Sequence, residues 1–134
     1  MNRETSNPDH VVQLLGIQTE EINPDRVVMK MPVDARHHQP FGILHGGVSV
    51  LLAETAASYG AWLNCVQENE ITVGLEINAN HIRFKREGMV TAVATPFHKG
   101  RSTMVWEVRI TDEEERLICI SRCTMAVVPK QKEK

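Results

Sequence analysis

The segment Gly46 to Asn64 constrains this chain more than any other. It reads GGVSVLLAETAASYGAWLN, with no proline, much alanine and leucine, and a single charge at Glu54. A helix that is apolar on every side does not lie on a surface; it belongs in the middle of a domain, with the rest of the chain wrapped around it. The 134 residues suit one domain. Its core is expected over residues 15–128, with flexible ends at 1–7 and 130–134.

The other segments read as the wrapping. Asp25 to Val33 alternates, with Val27, Met29, Met31 and Val33 on one face, as a half-buried strand requires. Downstream, Ile71–Ala79, Met89–Phe97, Thr103–Thr111 and Leu117–Val128 read as four more strands. Turns separate them at Lys85–Gly88 and His98–Arg101, and a charged loop at Asp112–Arg116. Met104, Trp106, Val108 and Ile110 are expected to face inward. Odd positions are apolar through Ala79, whereas Ile82 and Phe84 carry the pattern afterwards, which predicts a bulge near Asn78–His81. Ser6-Asn7-Pro8-Asp9 is a helix-start signal. It predicts a short helix over His10–Leu15, ended by Gly16. The fold class is therefore α+β, one long central helix in a curved antiparallel sheet. A chain of this length has no second layer to cover the outer face and edges of that sheet, so self-association is expected.

Charge and composition narrow the function. Fifteen Lys and Arg stand against seventeen Asp and Glu, a net charge of −2, and six residues are aromatic (three Phe, two Trp, one Tyr). Neither favours a nucleic-acid partner. No run approaches the length of a membrane-spanning helix, and Met1–Thr5 lacks an apolar leader core. Cys65, Cys119 and Cys123 read as reduced thiols, which places the chain in the cytoplasm. His37, His38 and His45 lack the spacing of zinc motifs, so no metal is expected.

Two features could carry chemistry. Glu54 is a lone carboxylate among Leu51, Leu52, Ala53, Ala56 and Ala57. A buried carboxylate without a partner is costly and marks a functional group; the alternatives are a bond to Ser58 one turn later, or a place at a subunit interface. The second feature is Gln39-Pro40-Phe41-Gly42-Ile43-Leu44-His45-Gly46-Gly47, which runs straight into the helix. Glycines at a helix start let a ligand approach bare N–H groups, where the helix dipole favours developing negative charge. His45 can equally be structural. Gly46 and Glu54 lie eight residues apart, about 12 Å along a helix, too far for one reacting carbonyl to touch both. If both serve one reaction, Glu54 comes from a second subunit. A third, weaker feature is the positive charge of residues 81–103, where Arg83, Lys85, Arg86, Lys99 and Arg101 face only Glu87. Such turns can grip phosphates or simply be solvated.

The run Pro40-Phe41-Gly42-Ile43-Leu44-His45-Gly46-Gly47-Val48, with Leu52-Ala53-Glu54-Thr55 after it, resembles the hotdog-fold acyl-CoA thioesterases. The branch it resembles is that of the Arthrobacter-type 4-hydroxybenzoyl-CoA and phenylacetate-pathway thioesterases. The likeness continues through Val73-Gly74-Leu75-Glu76-Ile77-Asn78-Ala79-Asn80-His81 and His98-Lys99-Gly100-Arg101-Ser102-Thr103. It implies one helix in a curled sheet, assembled into dimers with shared sites and usually tetramers. It implies hydrolysis of an acyl-CoA without metal or cofactor. By position, Glu54 matches the catalytic carboxylate and Gly46 the glycine whose N–H polarises the thioester carbonyl. Gln39 and His45 match residues that position that carbonyl, and Ser58 a hydroxyl that holds water. Gly74, His81, Ile82, Arg83 and Phe84, with His98, Lys99, Gly100, Arg101, Ser102 and Thr103, match segments along the bound substrate. An acyl pocket at the helix seam would be lined by Phe41, Leu51, Thr55, Ser58 and Tyr59 or their partner copies. That mix of apolar surface and hydroxyls suits a hydroxylated aromatic acyl group. The competing readings are a silent acyl-CoA-binding module and a dehydratase on the same fold.

Overall fold

The computed structural model describes residues 9–131; the helix-start residues Ser6–Pro8 and the last three residues of the charged tail lie outside them. A short helix α1 (Val11–Leu14) precedes strands β1 (Gln18–Asn23) and β2 (Arg26–Val33) and a 3₁₀ turn at Ala35–His37. The long helix α2 (Gly46–Trp62) follows, then β3 (Glu70–His81), β4 (Gly88–Lys99), β5 (Thr103–Thr111) and β6 (Leu117–Pro129). The strands form one antiparallel sheet in the order β1-β2-β4-β5-β6-β3. α2 touches all six. The α+β reading and the strands expected after α2 hold. β1 carries no apolar alternation and is exposed throughout, so no period-2 signal marks it.

α2 is apolar all round, yet only one stripe of it is buried: Ser49, Leu52, Ala53, Ala56, Ala57, Gly60 and Ala61, a three-and-four spacing. Apart from Leu52 these residues are small. Opposite them the sheet presents Val27, Met29, Met31, Val90, Ala92, Met104, Trp106, Val108 and Ile110, each 2% exposed or less. The large side chains therefore come from the sheet and the helix supplies the space. The tightest point is Gly60, where a Cβ would sit 2.4 Å from the Trp106 ring. Trp106 is fully buried. Its indole N–H has no hydrogen-bond partner among the described residues, so the ring is held by its fit.

Two expectations need correction. His10 caps α1, accepting from the Gln13 N–H through Nδ1 at 3.2 Å, so the helix spans Val11–Leu14 where the sequence predicts His10–Leu15. The bulge in β3 lies between Gly74 and Glu76, not near Asn78–His81. Leu75 is the inserted residue, so the inward face switches there. Ile77 and Ala79 pack on the core, whereas Val73 and Leu75 are 39% and 61% exposed. The later phase change at Ile82 arises because the strand ends at His81.

The turn into β4 is fixed by Glu113. Its carboxylate pairs with Lys85 and accepts the Met89 N–H at 2.9 Å, beside Gly88 at φ +95°. The Lys85 hydrogen bond, with the Met89 N–H, pulls the Glu113 carboxyl down to about 2 from its usual 4.5. A carboxyl depressed on folding adds stability above its unfolded value, and that stability is lost as pH falls through the folded value. The melting gap between wild type and Glu113→Gln should therefore be full above pH 4.5 and close towards pH 2. A gap that stays constant across that window would remove Glu113 from this role. At Gly60 the expectation runs against helix propensity. Gly→Ala inside an ordinary helix gains ~1 kcal/mol, but here the added methyl meets a rigid indole and should cost about 1–3 kcal/mol. Thermal melting of Gly60→Ala decides the sign.

Candidate active site

The residues singled out in the sequence fall into two groups at opposite ends of α2. The first gathers at its N-terminus. His45 caps the helix, with Nδ1 accepting the Gly47 N–H at 2.8 Å; the ring proton therefore sits on Nε2 and faces outward. Gln39 turns its Oε1 back onto the Phe41 N–H, which leaves its NH₂ group as the outward donor. The Gly46 N–H is an orphan of the first helical turn and has no acceptor among the described residues. A Cβ on Gly46 would lie 2.9 Å from His81 Nε2, so the end of β3 closes directly over the helix start. Gln39, Gly46, Ser49, His81, Arg83 and Phe84 line a recess here of about 200 Å³. Gly46 and Gln39 thus bring N–H donors to one recess at the positive end of a helix dipole, a place suited to an oxyanion, while His45 caps the same turn without lining the recess.

The second group lies two turns on. Glu54, half-buried within one chain, lines a recess of about 270 Å³ with Val12, Leu51, Thr55, Ser58 and Tyr59. No hydrogen bond or ion pair engages its carboxylate among the described residues, and the bond to Ser58 considered above does not form. The Thr55 hydroxyl does bond the helix, donating to the Leu51 carbonyl at 2.7 Å, so it is spent on backbone. The Ser58 hydroxyl is not so engaged. Glu54 can lean on the sheet because Gly74 offers no side chain: a Cβ there would lie 2.6 Å from Glu54 Oε1. The bulge at Leu75 is what turns Gly74 inward. The carboxylate's charge also reaches the neighbouring Cys123. Burial, then Glu54 and Glu76, push that thiol up to about 12, so Cys123 is a protonated packing group.

One chain does not bring these groups together. Gly46 faces His81 and Glu54 faces Gly74, seven residues back along β3. The basic segments separate in the same way. Residues 81–84 lie beside Gly46. The 98–103 hairpin lies at the other end of the sheet, where Thr103 pairs Ala126 and Ala126 pairs Val73. That is on the order of 25 Å from His81 at the rise of a strand. Not all the positive charge is available, either: Lys85 is paired with Glu113 and Lys99 with Asp25. Arg83 and Arg101 form no ion pair among the described residues, and the His98 ring folds over Gly100. Phe41 is 84% exposed and does not line the Glu54 recess of its own chain, which leaves only a partner copy to fill the place expected for it. Phe84 and Ile82 are likewise exposed, at 79% and 55%.

The sequence reading missed Val12, which closes the Glu54 recess from α1, and left His37 and His38 without a role. His37 is fully buried. Its Nδ1 accepts the Asp34 N–H at 3.1 Å and its Nε2 donates to the Leu15 carbonyl at 2.8 Å. Asp34 and His37 form a capping box around the 3₁₀ turn, and that four-residue spacing was visible in the sequence. His38 anchors the same loop by donating from Nε2 to the Arg86 carbonyl at 2.6 Å.

The comparisons with known proteins identify the family. The family model described as thioesterase superfamily matches residues 41–119, which span both ends of α2. A 1,4-dihydroxy-2-naphthoyl-CoA hydrolase of Listeria monocytogenes is 52% identical over 120 residues, 90% of this chain and 97% of that protein. A proofreading thioesterase of Cronobacter turicensis is 43% identical over 118 residues, 88% of this chain and 85% of that one. A thioesterase of Pseudomonas aeruginosa, solved as a glutamine-to-alanine variant, superposes with a TM-score of 0.89. It is 43% identical and covers 96% of this chain and 98% of its own. No helix of the described residues is long and apolar enough to cross a membrane. The chain belongs to the hotdog-fold thioesterase superfamily and is a thioester hydrolase.

Proposed function

We propose that this protein hydrolyses aromatic acyl-CoA thioesters in sites shared between two copies of the chain, with Glu54 from one copy and Gly46, Gln39 and His45 from the other. The observation that carries this reading is the separation of an unengaged carboxylate from a cluster of unengaged N–H donors. Each is half of a hydrolytic site, and within one chain they stand two helical turns apart.

In this mechanism the thioester carbonyl oxygen accepts from the Gly46 N–H, with the Gln39 amide and His45 Nε2–H beside it. As the carbonyl carbon becomes tetrahedral, the negative charge on its oxygen is held at the helix N-terminus. Glu54 then acts in one of two ways. Its carboxylate oxygen bonds the carbonyl carbon, the C–S bond breaks to release the CoA thiolate, and water cleaves the resulting anhydride. Alternatively it takes a proton from a water near Ser58; the water oxygen attacks the carbonyl carbon, the C–S bond breaks, and the departing thiolate takes the proton from Glu54. Both routes give the free acid and CoA. Arg83 from one copy and Arg101 from the other are available for the phosphates of the CoA arm, since the two segments lie at opposite ends of one sheet and would converge only across such an interface.

The acyl assignment rests on the recess beside Glu54. Its volume of about 270 Å³ falls at the small end of ligand sites and suits a compact ring better than a long chain. Leu51, Tyr59 and Val12 give it apolar walls, and Ser58 adds a hydroxyl that makes no hydrogen bond among the described residues. The naphthoyl group named for the Listeria relative is of this kind. A dimer, with dimers further paired into a tetramer, would complete the assembly in the cytoplasm.

Complementation tests the shared site. Glu54→Gln and Gln39→Ala chains should each lose on the order of 10²–10³ in thiol release from acyl-CoA while keeping their fold. Unfolded together and refolded, they should regain about a quarter of wild-type activity, because half the dimers are mixed and each mixed dimer holds one intact site. No recovery in dimers shown by mass spectrometry to be mixed would refute the shared site; full activity of Glu54→Gln would refute the assignment of Glu54. Gly74→Ala adds a finer check. Its methyl displaces the Glu54 carboxylate from the strand, so kcat should fall at least tenfold, as expected for a misplaced reacting group, with little change in melting temperature. An unchanged kcat would mean that the seating of Glu54 on Gly74 is not used.

A further inference from the structure

We infer that the short helix α1 is the wall that sets acyl size in the Glu54 recess, with Val12 as the specificity-determining side chain and Arg36 and His37 as the residues that hold the wall in place. This rests on the reading of that recess as the acyl pocket.

The observations begin with α1 itself. Four residues are far too few for a helix to persist alone, and none of them is buried. Val11 and Leu14 are 47% and 55% exposed, so burial of its own residues does not hold α1 on the body, although Leu15 at its C-cap packs on the core. Val12 alone of its residues enters the recess beside Glu54. Beside Leu15, a pair of polar pins fixes the C-terminal end of the helix. Arg36 Nη1 donates to the Leu14 carbonyl at 2.6 Å, and His37 Nε2 donates to the Leu15 carbonyl at 2.8 Å. These carbonyls are among those a helix end leaves without internal partners. Gly16, at φ +70°, makes room for the first pin, because a Cβ there would lie 2.9 Å from Arg36 Nη2.

The pins are themselves oriented. Asp34 Oδ1 accepts from both the Arg36 N–H and Arg36 Nε at 3.2 Å, and the Asp34 N–H holds His37 Nδ1. Partial desolvation works against the Asp34 charge, but the Arg36 N–H bond, the Arg36 charge and His37 outweigh it and keep this carboxyl below its usual value. The same turn reaches the other half of the site: the His37 carbonyl accepts the His45 N–H at 2.9 Å, and His45 caps α2. One clamp therefore places both the wall of one recess and the donor cluster of the other. A wall held by two hydrogen bonds and the Leu15 contact, with Val12 itself outside the core, can change capacity at Val12 without disturbing the core.

The test uses the full chain and a panel of acetyl-, hexanoyl-, benzoyl- and naphthoyl-CoA, read by thiol release. Val12→Phe should lower kcat/KM for naphthoyl- and benzoyl-CoA by about tenfold or more while acetyl-CoA stays within about threefold, the scale on which an apolar pocket discriminates. Val12→Ala should move the naphthoyl-to-acetyl ratio the other way. Arg36→Leu, which removes a pin but touches no substrate, should shift that ratio in the direction of Val12→Ala. Its kcat for acetyl-CoA should be retained. Val12 is only partly buried, so both of its variants should melt with wild type. If Val12→Phe and Val12→Ala change every acyl group by one common factor, or change none, α1 is not the wall. If wild type releases no thiol from any of the four above the level of Glu54→Gln, the acyl-CoA reading itself falls and the wall with it. The two failures are told apart by wild-type turnover.

Discussion

A helix can sit in the hollow of a curled sheet only where it presents almost no side chain. α2 meets that condition along Ser49, Ala53, Ala56, Ala57, Gly60 and Ala61, and Gly60 is where the backbone and the Trp106 ring come closest. Close packing then leaves little freedom for the helix to slide or roll. The same device recurs at two other points along α2: Gly46 lies against the His81 ring and Gly74 against the Glu54 carboxylate. Three glycines at three heights thus set how deep the helix lies and which parts of it touch β3. The candidate site residues are placed by the packing that stabilises the fold.

That placement gives the two ends of the site different electrostatics. The donors around Gly46 stand at a helix terminus, where aligned peptide dipoles favour negative charge. Glu54 stands mid-helix, beyond the reach of that terminal field, which fades within the first turn. The carboxylate is thus not drawn into a structural bond with its own helix end, and it remains available to a neighbouring molecule. A thioester carbonyl placed between two chains would meet opposite tendencies on its two atoms: donors at the oxygen and a negative oxygen at the carbon. Catalysis of acyl transfer requires that pairing.

Much of this was legible in the residues. The alternation in β2 and β5 placed Val27, Met29, Met31, Met104, Trp106, Val108 and Ile110 inside, and the apolar helix could go nowhere but the centre. Glu54 and the glycines before it stood out because charge and backbone freedom are rare in such a segment. What escaped the reading depended on contacts rather than period. Leu75 looked inward by alternation, and only the bulge that seats Gly74 on Glu54 turns it out. β1 has no apolar face because it lies at the sheet edge and is exposed along its length. Val12 gave no sign of its role, since α1 reaches the recess through pins from residues 22 positions away. The two basic turns looked equivalent in sequence, but sheet order puts them at opposite ends.

The edge of β3 bears on the proposal of a shared site. It is twelve residues long, and its sequence EITVGLEINANH has neither the lysine nor the proline that commonly blunts an exposed edge. Antiparallel pairing with a second copy would satisfy that edge, and an axis relating two identical strands makes each residue meet its reflection through one point. Gly74 marks the Glu54 end of β3 and His81 the Gly46 end. An axis near Ile77 and Asn78, midway between them, would set Gly74 of each copy opposite His81 of the other. Glu54 of one copy would then approach Gly46 of its partner twice over, once on each side of the axis. The same pairing would set Val73 against the partner's Ile82, two apolar side chains that are 39% and 55% exposed in the single chain. The unpaired edge, the exposed apolar residues and the divided site are then answered by one contact, and none of the three is answered within one chain.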